Sequence, residues 1–419
     1  GNLDLKWGAV INVDAPFDIA TDADVIYVQG GAPTMNINGS LTKSAGAGLT
    51  SIPVGYSVNG SLNVDSGQLA IGYQSETGIS DGDISVAAGS TLTLKGRQTF
   101  SAASSFSGEG GLIHDGILTV VQGDYALAGP LSVSLGTLQF SSIPTLAGDI
   151  DLTAGTLYLD SGGSAGGNVN IDAGSFKADG PVTIGGAVQL HSPGKIEGTG
   201  TIVISGLLSW SGGSQLDTGE TVANGGVQIS GSAIKYLNKR TLSLKAASSW
   251  VDDGNLDLKW GAVINVDAPF DIATDADVIY AQGGVPALNI NDSLLKSAGD
   301  GVTQINTHIE NSGSVVVSTG QLQFQQTYRQ NIAGTLTVNI SGIADFDIFE
   351  VVQAATLDGI LEINLLGGYE PSLGDTFEIL TAASVAGTFD TINGAQIAAG
   401  KVFTAKYGAA TVTLEVVSE

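Results

Sequence analysis

The 419-residue chain contains no cysteine, one methionine, ten prolines and three histidines. Without cysteine there is no disulfide framework, no thiol nucleophile and no thiolate metal centre. That remains compatible with secretion, because large secreted β-proteins need no such staples. Basic residues are scarce too. Fifteen Lys and Arg stand against 41 Asp and Glu, a formal charge of −26. No basic stripe is available to displace counterions from a phosphate backbone, so nucleic acid is not an expected partner, and neither is an anionic membrane surface. No apolar run reaches the roughly 18–20 residues that cross a bilayer as a helix, so no membrane insertion is expected. No signal segment is seen and the first residue is Gly, so we read the chain as a processed or excised segment whose targeting sequence is missing.

What the chain has is glycine, 60 of them, with abundant Val, Ile, Thr, Leu and Ser. That composition favours strands and tight turns over helices. It also has a copy of part of itself. Residues 1–27 recur unchanged at 254–280, an offset of 253. The match extends to Ile52/Ile305 with nine differences in 52 positions, and reaches Leu69/Leu322. A tandem duplication of this kind indicates a repeat array rather than two or three globular domains. The second copy is preceded by 242–253 with no break in pattern, so the first copy begins partway into a unit.

A shorter motif, Gly-x-apolar-x-apolar-x-x-Gly, runs through the chain, as in GSLNVDSG at 60–67. Its period of two places both apolar side chains on one face of a strand. Starts at Gly129, Gly148, Gly167 and Gly186 lie 19 residues apart three times running. Strands that return every 19–22 residues or so have the length of one coil of a parallel β-solenoid. The fold class expected is all-β, a right-handed parallel β-helix, with the hand taken from the rule for parallel crossovers. Leu3, Leu5, Trp7, Ala9, Ile11 and Val13 form one inward face, Leu242 to Trp260 another, and parity assigns all four tryptophans to the apolar side. Near Ile340 the beat is lost and longer strands begin, so residues 1–339 are read as the β-helix and 340–419 as a C-terminal β cap covering an otherwise open edge.

Several segments carry a family resemblance: GTGTIVISGLLSWSGG at 198–213, GGVQISGSAIKYLNKRTLSL at 225–244, LKSAGDGVTQI at 295–305 and NSGSVVVSTGQLQF at 311–324. Residues 334–389 add a T-L-x-G-x-L strand followed by G-Y-x-P-x-x-G-D-x-F-x-I-L-T. Together these resemble the large secreted bacterial β-helical proteins of the filamentous-haemagglutinin-like and autotransporter-passenger-like adhesin type. The resemblance implies secretion and a cell-surface or extracellular location. It brings no catalytic motif.

Candidate chemistry is thin. His114, His191 and His308 are scattered without metal-ligand spacing and read as solvated rung residues. Lys235, Lys239 and Arg240 make one short basic cluster. Glycine-rich 162–167 lacks the Lys-Ser/Thr ending of a phosphate loop. Asp22 and Asp24, repeated as Asp275 and Asp277, alternate on a strand and are the candidate Ca²⁺ ligands, although no D-x-D-x-D-G or G-G-x-G-x-D loop is present. A solvated acidic face that keeps neighbouring molecules apart is the competing reading. Tyr56, Tyr73, Tyr125, Tyr158 and Tyr236 are the candidates for a sugar-stacking platform, with Tyr158 facing out. The expectation is therefore a non-enzymatic structural protein, an adhesin stalk or filament subunit associating with itself through solenoid ends, with no required cofactor. The alternative is a carbohydrate-binding or polysaccharide-degrading β-helix. A virus tail fibre would share the fold but calls for heptads, which are absent.

Overall fold

The computed structural model of the protein describes residues 1–73, 77–398 and 400–419. The chain is a parallel β-solenoid of about 17 turns, with no helix among the described residues. It divides into two compact units, Gly1–Gly206 and Leu207–Glu419.

In the first unit the 19-residue beat is the coil itself. Leu131 pairs in parallel with Ile150, Ile150 with Val169, and Val169 with Val188. Each coil contributes three short strands, for example Ile150–Leu152, Thr156–Leu159 and Gly163–Ala165. The stacked positions Phe140, Leu159 and Ala178 are wholly buried, as are Leu138 and Leu157 with Phe176 beneath them. Each such leucine or phenylalanine stabilises the fold by roughly 1.5–3 kcal/mol. The glycines that set the beat have a steric cause. A Cβ on Gly129 would lie 2.3 Å from the Gly110 carbonyl oxygen, and the same holds for Gly148 over Gly129 (2.3 Å), Gly167 over Gly148 (2.6 Å) and Gly186 over Gly167 (2.4 Å). At this corner one backbone rests on the next, so no side chain fits.

The second unit begins with the same arrangement. Trp210, Ile229, Trp250 and Ile272 stack in register, alternating a large and a medium side chain. Parallel pairing continues past residue 340: Thr335–Gly342 pairs with Ile360–Leu365, and Phe349–Leu357 with Thr376–Gly387. Antiparallel pairing then takes over, with Thr376–Gly387 against Thr411–Ser418 and that strand against Lys401–Tyr407. Phe377 lies at the centre of this end, edge-on to Phe346 and Phe403.

Parity misplaced two tryptophans. Trp210 and Trp250 are wholly buried, but Trp7 is 74% and Trp260 48% exposed. Both have positive φ, 55° and 59°, unusual for a bulky residue. The strand ends one residue earlier and the left-handed turn flips the indole outward, over Gly30 in one copy and Gly283 in the other. A Cβ on Gly30 would meet Trp7 at 2.8 Å, and one on Gly283 would meet the Trp260 ring at 2.4 Å. Ala246, placed on the inward face, lies half-buried at a corner between Leu244 and Ser248.

Candidate functional site

The duplicated segment builds the same polar corner twice. Lys43 follows Leu41 by two residues on Ser40–Lys43, so it points inward and is fully buried. Its ammonium donates to the carbonyls of Thr21 (3.1 Å) and Ala45 (3.1 Å) and to Asp22 Oδ1 (2.9 Å). Lys296, equally buried, donates to Thr274 O (2.8 Å), Ala298 O (3.1 Å), Asp275 Oδ1 (2.8 Å) and Thr303 Oγ1 (3.2 Å). The lysine hydrogen bond is the main reason that Asp22 and Asp275 are held below the ordinary carboxylate range. Asp24 and Asp277 have a different task. Each accepts a backbone amide from the following coil, Ser51 N and Gln304 N, both at 2.8 Å. The surrounding bonds recur as well: Asn36 to Asn12 and Asn289 to Asn265, Asn38 to Asp14 and Asn291 to Asp267.

These corners do not fit the expected Ca²⁺ sites. Calcium takes roughly six to eight oxygens at about 2.3–2.6 Å. Here one oxygen of Asp22 and of Asp275 faces an ammonium, and Asp275 Oδ2 accepts Gly301 N at 3.0 Å. Among the described residues no three His, Asp or Glu side chains converge. The carboxylates are the solvent-facing, anionic half of a clamp whose ammonium is buried.

The remaining candidates separate into inside and outside. His114, expected in solvent, is wholly buried between Leu94 and Val133, and burial pushes its pKa down to about 4 against the opposing charge of Asp115. His191 and His308 are half-buried and bonded to Asp172 (2.9 Å) and Thr327 (2.8 Å). Of the basic cluster only Lys239 is exposed. Lys235 is buried and bonded to Gly231 O (2.5 Å). Arg240 is buried and reaches Thr221 Oγ1 (2.9 Å), Leu216 O (3.1 Å) and Glu220 O (3.1 Å). Tyr56 and Tyr125 face the core. Tyr158 does face out, with its hydroxyl on Asp179 (2.7 Å) and Asp160 (3.1 Å) and Lys177 over its ring.

Two surface features could hold a ligand. In the first unit a groove of about 350 Å³ runs past Tyr73, Lys95, Asp115 and Ile117, floored by Gly72, Gly96 and Gly116. Lys95 and Asp115 pair at 3.0 Å, and Tyr27 stands edge-on to Tyr73 at 5.5 Å. In the second unit a pocket of about 550 Å³ is lined by Asn339, Ser341, Asp345 and Asp347. Burial raises Asp347 to about 6, opposed by hydrogen bonds from the Asn339 backbone (2.8 Å) and amide (2.9 Å). No family model matches the chain, and no curated protein matches it.

Proposed function

We propose that this chain is a non-enzymatic extracellular scaffold, an adhesin stalk or a subunit of a surface filament that associates with itself. One observation carries the reading. The segment the chain has duplicated reproduces a structural corner bond for bond: lysine, aspartate, two carbonyls and an asparagine ladder in both copies. Copying such a segment adds coils and length, which a stalk or fibre needs, and its polar side chains are already bonded within the scaffold. The charge of −26 supports the same reading, since like-charged flanks resist sideways association and leave the ends as contacts. Secretion and surface location rest on the resemblance to β-helical adhesins. Negative-stain electron microscopy of native material is expected to show end-joined particles of uniform width, unchanged by EDTA because ammonium groups already occupy the aspartate corners. Disassembly in EDTA would overturn the clamp reading, and particles that never join at any concentration would leave only the stalk.

The second reading is glycan binding, and the Tyr73 groove favours it. An aromatic face beside an exposed Lys–Asp pair suits a sugar ring with its hydroxyls. Binding on a glycan array that is lost in Tyr73→Ala would establish it. An array without hits, or hits that survive the substitution, would remove the groove as the site.

A further inference from the structure

We infer that Asn224 is a site of spontaneous covalent modification, at which the Gly225 amide nitrogen attacks the asparagine side chain and converts it to an aspartyl or isoaspartyl link. The reaction needs only water. Gly225 N loses its proton and bonds to Asn224 Cγ, closing a five-membered succinimide while the side-chain nitrogen leaves as ammonia. Water then opens the ring. Addition at Cγ restores the original main chain and leaves aspartate. Addition at the α-carbonyl carbon leaves isoaspartate, with the main chain rerouted through Cγ and one carbon longer.

An Asn-Gly step favours this chemistry because glycine places no side chain beside the attacking nitrogen. The chain has four such steps, at 38–39, 59–60, 224–225 and 393–394. All four asparagines are exposed, so access to water does not distinguish them. Hydrogen bonding does distinguish them. Asn38 donates its side-chain amide to Asp14 Oδ1 (2.7 Å) and accepts from Asn59 (2.8 Å), which holds both side chains in one ladder. The nucleophiles at these steps are engaged as well, Gly39 N by Val13 O (2.6 Å) and Gly60 N by Ile37 O (2.9 Å). A Cβ on Gly60 would collide with the Gly39 carbonyl, so the two backbones rest on each other and neither peptide can swing freely. At the fourth step Asn393 donates to Glu362 Oε2 (2.8 Å), and its strand Thr391–Asn393 is paired with Ile360–Leu365.

Asn224 is placed differently. Asn224 and Gly225 form the turn between the strands Glu220–Ala223 and Val227–Ile229, a role both residue types suit. The turn is closed by Gly226 N donating to Ala223 O (3.2 Å), a bond that passes over the two residues inside it. Among the described residues none is bonded to the Asn224 side chain or to Gly225 N. The ends of the turn are anchored: Ala223 O also accepts Lys245 N (3.0 Å), and Gly226 O accepts Leu208 N (3.1 Å). The reacting pair thus lies free between two fixed points. An isoaspartyl link lengthens a turn whose ends are held, and the Gly226–Ala223 bond is the one placed to break.

The test incubates the full chain in mildly alkaline buffer, digests it with trypsin and maps the peptides by mass spectrometry. Peptide 196–235 has Asn224 as its only asparagine, and electron-transfer fragmentation separates its aspartate and isoaspartate forms. Asn224 is expected to convert on the order of 10–100-fold faster than Asn38 or Asn59, which must first break several hydrogen bonds, with Asn393 between them. The rate should rise with pH, because the attacking species is the deprotonated amide. In concentrated urea the four steps should react at similar rates. Asn224→Gln should abolish the mass change, which excludes Gln215 and Gln228 as its source. In the isoaspartyl fraction the Gly226 amide should exchange on the order of 10-fold faster than in Asn224→Asp, which carries the charge without the extra carbon. The assignment is overturned if Asn224 survives in the folded chain but reacts in urea, or if Asn38 and Asn59 keep pace with it when folded. It is equally overturned if the mass change persists in Asn224→Gln. Unchanged Gly226 exchange in the isoaspartyl fraction would overturn the opening of the turn.

Discussion

Lys296→Met is expected to lower the stability of residues 207–419 by about 1–3 kcal/mol, the usual cost of leaving a buried backbone acceptor without its donor. The ion pair itself adds little, because the Asp275 side chain is 42% exposed. Met replaces most of the lysine stem, so lost packing is a small part of the effect. What loses its donor is the Ala298 carbonyl, because Thr274 O keeps the Thr303 hydroxyl (2.9 Å) and Asp275 keeps Gly301 N (3.0 Å). Each orphaned backbone acceptor costs about 1–3 kcal/mol. Urea unfolding followed by tryptophan emission reads this unit directly, because the two buried indoles, Trp210 and Trp250, both lie in it. The acid side provides a sign check. Asp275 is held below its ordinary value of 3.8, so its share of stability is present above that pH and is lost as the pH falls through the lower folded value. The gap between wild type and variant should therefore narrow in strong acid. Lys43→Met removes the same clamp in the first copy, and should appear as faster exchange across residues 1–52. A Lys296→Met midpoint within 1 kcal/mol of wild type, roughly the error of such extrapolations, would mean that the corner is held by its backbone alone.

The solenoid was legible because its period is steric. Gly129, Gly148, Gly167 and Gly186 must be glycine wherever one corner carbonyl rests on the next, and that leaves a regular mark in the sequence. Parity then located Leu5, Val13, Trp210 and Trp250 in the core. It failed where the backbone leaves the extended region. Nothing in the alternation of 1–13 announces that Trp7 has φ 55°, and without that turn its parity is inward. Other misses had a signal that was passed over. His114 shares parity with Leu112, and Lys43 with Leu41, so each was addressed to the interior by period two alone. Charge argued the opposite, and the sequence could not show the answer for Lys43, whose ammonium meets the Ala45 carbonyl two residues on together with the Thr21 carbonyl and Asp22 carboxylate of the preceding coil. The antiparallel closing strands were legible in length but not in direction, because alternation is the same either way. The pairing of Asp22 with Lys43 was likewise beyond one-dimensional spacing.

His114→Leu is expected to stabilise residues 1–206, and by more as the medium becomes acidic. His114 sits in a fully apolar rung, in register with Leu94 above and Val133 below, and neither ring nitrogen has a hydrogen-bond partner. A buried unsatisfied polar group costs about 1–3 kcal/mol even when neutral, and Leu removes that cost at any pH while continuing the Leu94–Val133 stack. The acidic part follows from linkage. Burial lowers the folded pKa to about 4 from an ordinary value of 6.5. Stability that depends on the neutral ring is therefore complete above 6.5 and is lost as the pH falls from 6.5 towards 4. At about 1.4 kcal/mol per unit, that loss approaches about 3 kcal/mol near pH 4. The advantage of the leucine variant should thus grow from about 1–2 kcal/mol at pH 8 to about 4–5 kcal/mol at pH 4. Denaturant unfolding followed by circular dichroism at four pH values measures the slope. Groups that make no contact with His114 are common to both proteins and cancel in the difference. An advantage that stays flat with pH would mean that the ring is charged or solvated in the folded chain. A variant weaker than wild type at pH 8 would mean that the imidazole makes a bond the rung depends on, and His114 would then become the first interior residue to suspect of a role beyond packing.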